Sequence, residues 1–288
     1  MFGFLNIDKS GGMTSRDVVN RVQRLVRPEK VGHAGTLDPL ATGVLVVGVG
    51  MATRLVEYVQ RLPKMYRGTF LLGRLSDTED VEGKVVEMAG AVVPSLDAIR
   101  SAARRFVGTI EQRPPAYSAV KVAGKRAYQM ARRGEVVELA VRPVEVHSLE
   151  IVRYAYPELE LLVRCGSGTY IRSLGRDLAE SLGTAAVMSQ LRRLAIGPFR
   201  VEEAVGLKTL TPDAIESQIL SPLMALEGMP RIEVSEMDVQ RLFKGMSIAN
   251  VRGLDGTEIV AVTSGAQFVA IVKSNESGLA PVKCFVRA

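Results

Sequence analysis

Apolar residues recur at helical spacing through Val18, Val19, Val22, Leu25 and Val26, behind the N-cap types Thr14 and Ser15 and ahead of Pro28. The pattern predicts an amphipathic helix with Arg16, Arg24 and Arg27 outside its apolar stripe. The stretch YRGTFLLG, Tyr66 to Gly73, reads as a strand, and SDTEDVEG, Ser76 to Gly83, as an acidic turn into a second strand, KVVEM. Leu96, Ile99, Ala103 and Phe106 mark a helix opened by Ser95, and a polar, basic segment from Gln112 to Gly134 follows. Two long strand-like runs, VEVHSLEIVRYAY and LELLVRCGSG, lead to a helix whose Ile171, Leu174, Leu178 and Leu182 face one way before Gly183 ends it. This irregular order of strands and helices predicts an α+β sheet domain rather than regular βαβ alternation.

Between Leu207 and Pro230 the pattern changes, with proline turns such as TPDA and SPL. Beyond it Ser235 and Gly245 bracket a short helix, and TEIVAVTS, QFVAIVKS and APVKCFVRA are short strands separated by turn residues. That is the pattern of a small β-barrel or sandwich. With 288 residues, one large domain and one small one are expected, divided as 1–225 and 226–288. Hydrophobic residues at 47% and charged residues at 24% exclude a largely disordered chain.

The longest near-apolar stretch, Val44 to Ala52, is far short of the roughly 20 residues that span a bilayer. The N-terminal MFGFLNIDKSGG does not read as a secretion signal, so a cytoplasmic location and no membrane partner are expected. Cys165 and Cys284 are too far apart to suggest a disulfide framework or a metal pair. A net charge of +6 favours a polyanionic partner.

Three motifs compete for the chemistry. VLVVGVGMATRLVEYV, Val44 to Val59, imitates a dinucleotide fingerprint, but Thr53 occupies the third glycine position and no acid follows near Gly68 to Gly73. It reads as a strand turning into a helix. The acidic turn imitates a calcium loop, but Val81 stands where an oxygen ligand is needed. The third motif, GHAGTLDPLATG, sets Asp38 before Pro39 among Gly32, Gly35 and Gly43. Glycines allow close backbone approach, and Pro39 biases Asp38 toward extended backbone, so the carboxylate is held either as a turn initiator or as a catalytic group.

GHAGTLDPLATG resembles the catalytic motif of the TruB family of tRNA pseudouridine synthases. KMYRGTFLLGRLSDTEDVEG is similar to the second motif of that family, RPPAYSAVKVAGKRAYQMAR to its RNA-gripping insertion, about 112–135, and GSGTYIRSLGRDLAESLG to its third active-site motif. LRRLAIGPF resembles the segment after that, and the tail from Pro230 resembles, more weakly, the small C-terminal PUA-like domain. The resemblance implies a pseudouridine-synthase fold, a mixed and mainly antiparallel sheet flanked by helices. It implies isomerisation of uridine 55 in the T-loop of tRNA, by base detachment, rotation and reattachment through carbon, with no cofactor and no metal.

By the same resemblance Asp38 is the nucleophile, Arg172 pairs with it and lowers its pKa, and Tyr66 stacks on the displaced base and helps to take its proton. His33, Tyr170, Leu191, Asp80, Lys64, Lys121 and Arg126 are then substrate-binding. Read without the family, Tyr66 and Leu191 are equally core residues, His33 a structural histidine and Asp80 part of a solvated turn. Arg113 to Arg133 carries six Lys/Arg, no Asp/Glu, and Tyr117 and Tyr128, a composition suited to phosphates and unpaired bases. Two rival readings remain: a guide-RNA-dependent synthase subunit, and a non-catalytic tRNA-binding or folding protein. The expected partner is the T-arm of tRNA, with no obligate protein partner and a monomeric state.

Overall fold

The computed structural model describes residues 1–285 apart from 119, 123, 132, 138, 250–257, 263–266 and 277. Strand β1 (Gly3–Lys9) leads to helix α1 (Ser15–Leu25), and Thr14 caps that helix while the Asp17 carboxylate returns a bond to the Thr14 backbone. Strands β2 (Val31–His33) and β3 (Thr42–Val49) follow, then a 3-10 turn over Gly50–Leu55, helix α2 (Val56–Arg61) and strand β4 (Lys64–Leu72). A small hairpin, β5 (Arg74–Leu75) with β6 (Val86–Glu87), helix α3 (Leu96–Ala103) and strand β7 (Gly108–Gln112) come next. The basic insertion holds a second small hairpin, β8 (Lys121–Val122) with β9 (Lys125–Arg126), and helix α4 (Ala127–Ala131).

The long strands β10 (Arg142–Ala155) and β11 (Glu158–Cys165), helix α5 (Ile171–Glu180), strand β12 (Ala186–Ile196) and the short β13 (Phe199–Arg200) and β14 (Val205–Gly206) complete the larger unit. Its sheet runs β14-β1-β3-β12-β4-β11-β10-β7, with β2 beside β3 and β13 beside β12. Only the β1/β14 and β3/β12 pairs are parallel, so the sheet is mixed and mainly antiparallel, as the family resemblance implies.

Strand β3 sits inside this sheet and is covered on both faces, which explains its unbroken apolar run. Leu45 and Val47 join the core under α1 and α5, whereas Val44 and Val46 pack on the other side with Phe4 and Phe199. Each such side chain contributes about 1.5–3 kcal/mol on burial. The Gly48–Gly50 fingerprint is spent on the turn after this strand: Gly50 has φ +62°, and a Cβ there would lie 2.4 Å from the Met1 carbonyl oxygen.

Helix α5 lies against β4 because Gly175 lacks a side chain. A Cβ there would come within 2.0 Å of the Phe70 ring, which is itself fully buried.

In the C-terminal part, β15 (Arg231–Glu233), helix α6 (Glu236–Phe243), β16 (Glu258–Val262), β17 (Phe268–Asn275) and β18 (Gly278–Cys284) form a four-stranded sheet with one helix. Ser235 caps α6 as expected. The unit docks on the larger one through aromatic rings: Phe285 stacks on Phe2 at 5.7 Å and lies 4.6 Å from Phe268. Arg54 donates to the Cys284 carbonyl beside this cluster. No helix among the described residues is long and apolar enough to cross a membrane.

Candidate active site

The Asp38-Pro39 pair is a turn and also the centre of the site. The Ala41 amide donates to the Asp38 carbonyl at 3.1 Å and closes the turn. Its corner is pinned from two sides: the Gly12 amide and the Lys9 ammonium both donate to the Pro39 carbonyl, at 2.9 and 3.1 Å. The same ammonium reaches the carbonyls of Ser10 and Met13. On the other side of the turn, the Leu37 amide donates to the Ser15 hydroxyl at 2.9 Å, which ties it to the start of α1. Lys9 has no solvent exposure, and burial brings its ammonium down to about 8.

Arg172, in the first turn of α5, places Nε 3.0 Å from an Asp38 carboxylate oxygen. Its Nη1 donates to the Thr78 carbonyl at 2.9 Å and stands 3.7 Å from Asp80, and Nη2 donates to the Tyr117 carbonyl at 3.0 Å. The acidic turn is therefore not a solvated loop. Asp80 is buried, accepts from the Thr78 hydroxyl and the Glu82 amide, and sits where Val81 and Glu79 bond to Met188 of β12. Glu79, at φ +62°, is held there by an ion pair with Arg176, which also donates to the Arg113 carbonyl.

The predicted ion pair is present and Arg172 favours the Asp38 carboxylate as expected, but burial outweighs it. Burial pushes the Asp38 carboxyl above the usual aspartate range, and neighbouring Asp80 adds to this; Arg172 pulls the other way and does not prevail.

Tyr66, on β4, is 9% exposed and stands opposite Arg193 of β12 in the strand register. Arg193, 2% exposed, donates through Nη1 to the Tyr66 hydroxyl at 3.5 Å, through Nε to the Val44 carbonyl at 2.7 Å, and through Nη2 to the Gly35 carbonyl at 3.2 Å. It thus braces the glycine turn before Asp38. Gly43 completes the arrangement, since a Cβ there would lie 2.2 Å from the Arg193 carbonyl oxygen. Burial raises the Tyr66 hydroxyl above its ordinary value.

Leu191 is buried in the same cluster as Tyr66 and Leu37. His33 ends β2 with its buried Nδ1 lacking a hydrogen-bond partner, and burial with Arg16 nearby lowers its pKa, which keeps the imidazole neutral.

Two further residues expected to bind substrate, Lys64 and Tyr170, have protein partners of their own. Lys64 is buried with its ammonium on the Gln60 carbonyl. Tyr170 exchanges backbone bonds with the Gln112 side chain and sets its ring 5.1 Å from the Arg142 guanidinium, at the root of the insertion. Of Lys121 and Arg126 only the backbone, in β8 and β9, belongs to the described part; their side chains lie outside it. Among the described residues, no three His, Cys, Asp or Glu side chains are grouped to hold a metal ion.

Sequence reasoning missed Lys9 and Arg193. A signal was present in the alternation: Lys9 shares a face with Leu5 and Ile7, and Arg193 shares one with Leu191, so each charge was assigned to an inward position.

Similarity to known proteins runs over nearly the whole chain. The family model described as TruB family pseudouridylate synthase, N-terminal domain, matches residues 23–171, and that of the tRNA pseudouridylate synthase B C-terminal domain matches residues 172–225. The chain is 40% identical to a tRNA pseudouridine synthase B of Rhodospirillum rubrum, over 98% of this chain and 95% of that one. It is 38% identical to a protein of the same name from Clostridium kluyveri, over 99% and 100%. Among solved structures it is similar to a Cbf5-Nop10-Gar1 complex, with TM-score 0.74, 27% identity and coverage of 100% of this chain and 84% of that chain.

Proposed function

The chain belongs to the TruB family of pseudouridylate synthases, and we propose that it isomerises uridine 55 in the T-loop of tRNA, acting as a monomer without a guide RNA or obligate protein partner. The observation that carries this reading is the Asp38–Arg172 pair at 3.0 Å, set in a glycine turn beside Tyr66. A non-catalytic RNA binder has no use for a carboxylate held against a buried guanidinium. The guide-dependent reading is supported less well, because full-length relatives near 40% identity are named tRNA pseudouridine synthase B, while the likeness to the Cbf5 complex stands at 27%.

In this reading the reaction has no net redox change. The ribose–N1 bond breaks with its electron pair leaving on the base, while the Asp38 carboxylate supports the electron-poor ribose carbon, by bonding to it or by charge. The base turns, C5 bonds to the same ribose carbon, the C5 proton is removed beside Tyr66, and a proton is taken up at N1. A uridine in a folded loop must leave its stack to reach Asp38. His33, half-buried at the end of β2 and next to the glycine turn, is placed to meet the opened loop. Exposed Arg113, Lys125 and Arg133 in the insertion supply charge for the T-arm phosphates. Residues 226–288 are read as the PUA-like domain.

The test is to incubate purified protein alone with an unmodified tRNA transcript and to map pseudouridine. We expect product in the T-loop without guide RNA, and none with Asp38→Asn although tRNA still binds. Binding without product by the unaltered protein overturns the reading.

A further inference from the structure

A buried arginine without a carboxylate is costly to fold, and Arg193 is one: no ion pair among the described residues includes it. Its guanidinium only donates, so the Tyr66 oxygen must accept on that side. A neutral phenol keeps its O–H in the ring plane, with two directions open to it. With one side taken by Arg193, the proton points the other way.

We propose that Arg193 is a positioning residue for the reaction: it directs the Tyr66 hydroxyl with its proton turned from the guanidinium and supports negative charge on that oxygen as the proton is shared or withdrawn. This rests on the reading that Tyr66 faces the reacting base. Three ionisable groups bear on the phenol: Arg193 from β12, Cys165 from β11 and Asp38 from the catalytic turn. Burial, Cys165 and Asp38 all oppose ionisation, and Arg193 alone among them favours it.

The chain contains no tryptophan, so tyrosinate absorbance reports its seven tyrosines without an indole background. Titrating the unaltered protein against Tyr66→Phe isolates the Tyr66 component with no RNA present. In Arg193→Met that component moves upward by about one pH unit or more. Arg193→Lys keeps a cation in the same wall and moves it less, yet lowers kcat, because a shorter ammonium cannot hold both carbonyls and the phenol.

In Arg193→Met, kcat falls by about 10²-fold with KM nearly unchanged, and in a Tyr66→Phe background the same substitution adds little. An unmoved Tyr66 titration in Arg193→Met overturns the proposal, and so do equal kcat losses in the two backgrounds. A lysine variant with undiminished kcat overturns it too, whether or not the methionine variant folds. If the unaltered protein makes no pseudouridine, the functional reading fails, while the titration still decides whether the guanidinium controls the phenol.

Discussion

In the proposed mechanism Asp38 acts as a carboxylate, and its burial works against that form. Because burial and Asp80 raise its carboxyl despite Arg172, the folded enzyme loses the carboxylate as pH falls through a value above the ordinary aspartate range. The acid limb of the kcat/KM profile should therefore lie above that range. Removing the like charge with Asp80→Asn should move the limb down, and removing the cation with Arg172→Met should move it up, each by roughly one unit. Limbs that move together, or stay fixed, would show that these groups do not set the ionisation of Asp38. Asp38 was legible in the sequence because glycines and a proline around one acid are a conspicuous local pattern. The sign of its shift was not legible, because it depends on how deeply three distant segments bury the group. Lys9 and Arg193 were overlooked for a related reason: a charge in a strand is ordinarily solvated, and only the alternation of its neighbours shows that it faces inward.

At the scale of elements, the helix periodicities at Val18–Val26, Leu96–Phe106 and Ile171–Leu182 and the strand before the acidic turn, β4, were readable because each has a buried face. The acidic turn was not, since its burial comes from docking on β12 and from the Glu79–Arg176 pair, both remote in sequence. Helix α5 carries Arg172, so its seat on β4 sets the distance to Asp38. Gly175→Ala introduces a methyl against the Phe70 ring and should destabilise the fold by about 2 kcal/mol in thermal or denaturant unfolding, with kcat lowered as the helix is displaced. Adding Phe70→Leu should return part of the lost kcat. A double variant no better than Gly175→Ala would mean that this contact does not seat the helix.

For the whole molecule, a net charge of +6 and the exposed cations of the insertion predict affinity for tRNA that falls steeply as salt rises. Log Kd against log salt should have a slope of several, and Arg113→Gln or Lys125→Gln should each reduce it by about one. A flat response, or slopes unchanged in both variants, would remove the insertion from the RNA interface. The change of pattern near Leu207 precedes the separate four-stranded sheet, whereas the aromatic seam of Phe2, Phe268 and Phe285 was not legible, because it joins residues from opposite ends of the chain. One bond spans the same distance between tasks: Arg172, which faces Asp38, also donates to the carbonyl of Tyr117 in the insertion. In the proposed function, binding and chemistry are then thermodynamically linked through one guanidinium, and the linkage is reciprocal. Whatever free energy the grip on RNA lends to the placement of Arg172, the placement of Arg172 returns to the grip, so neither can be tuned without changing the other.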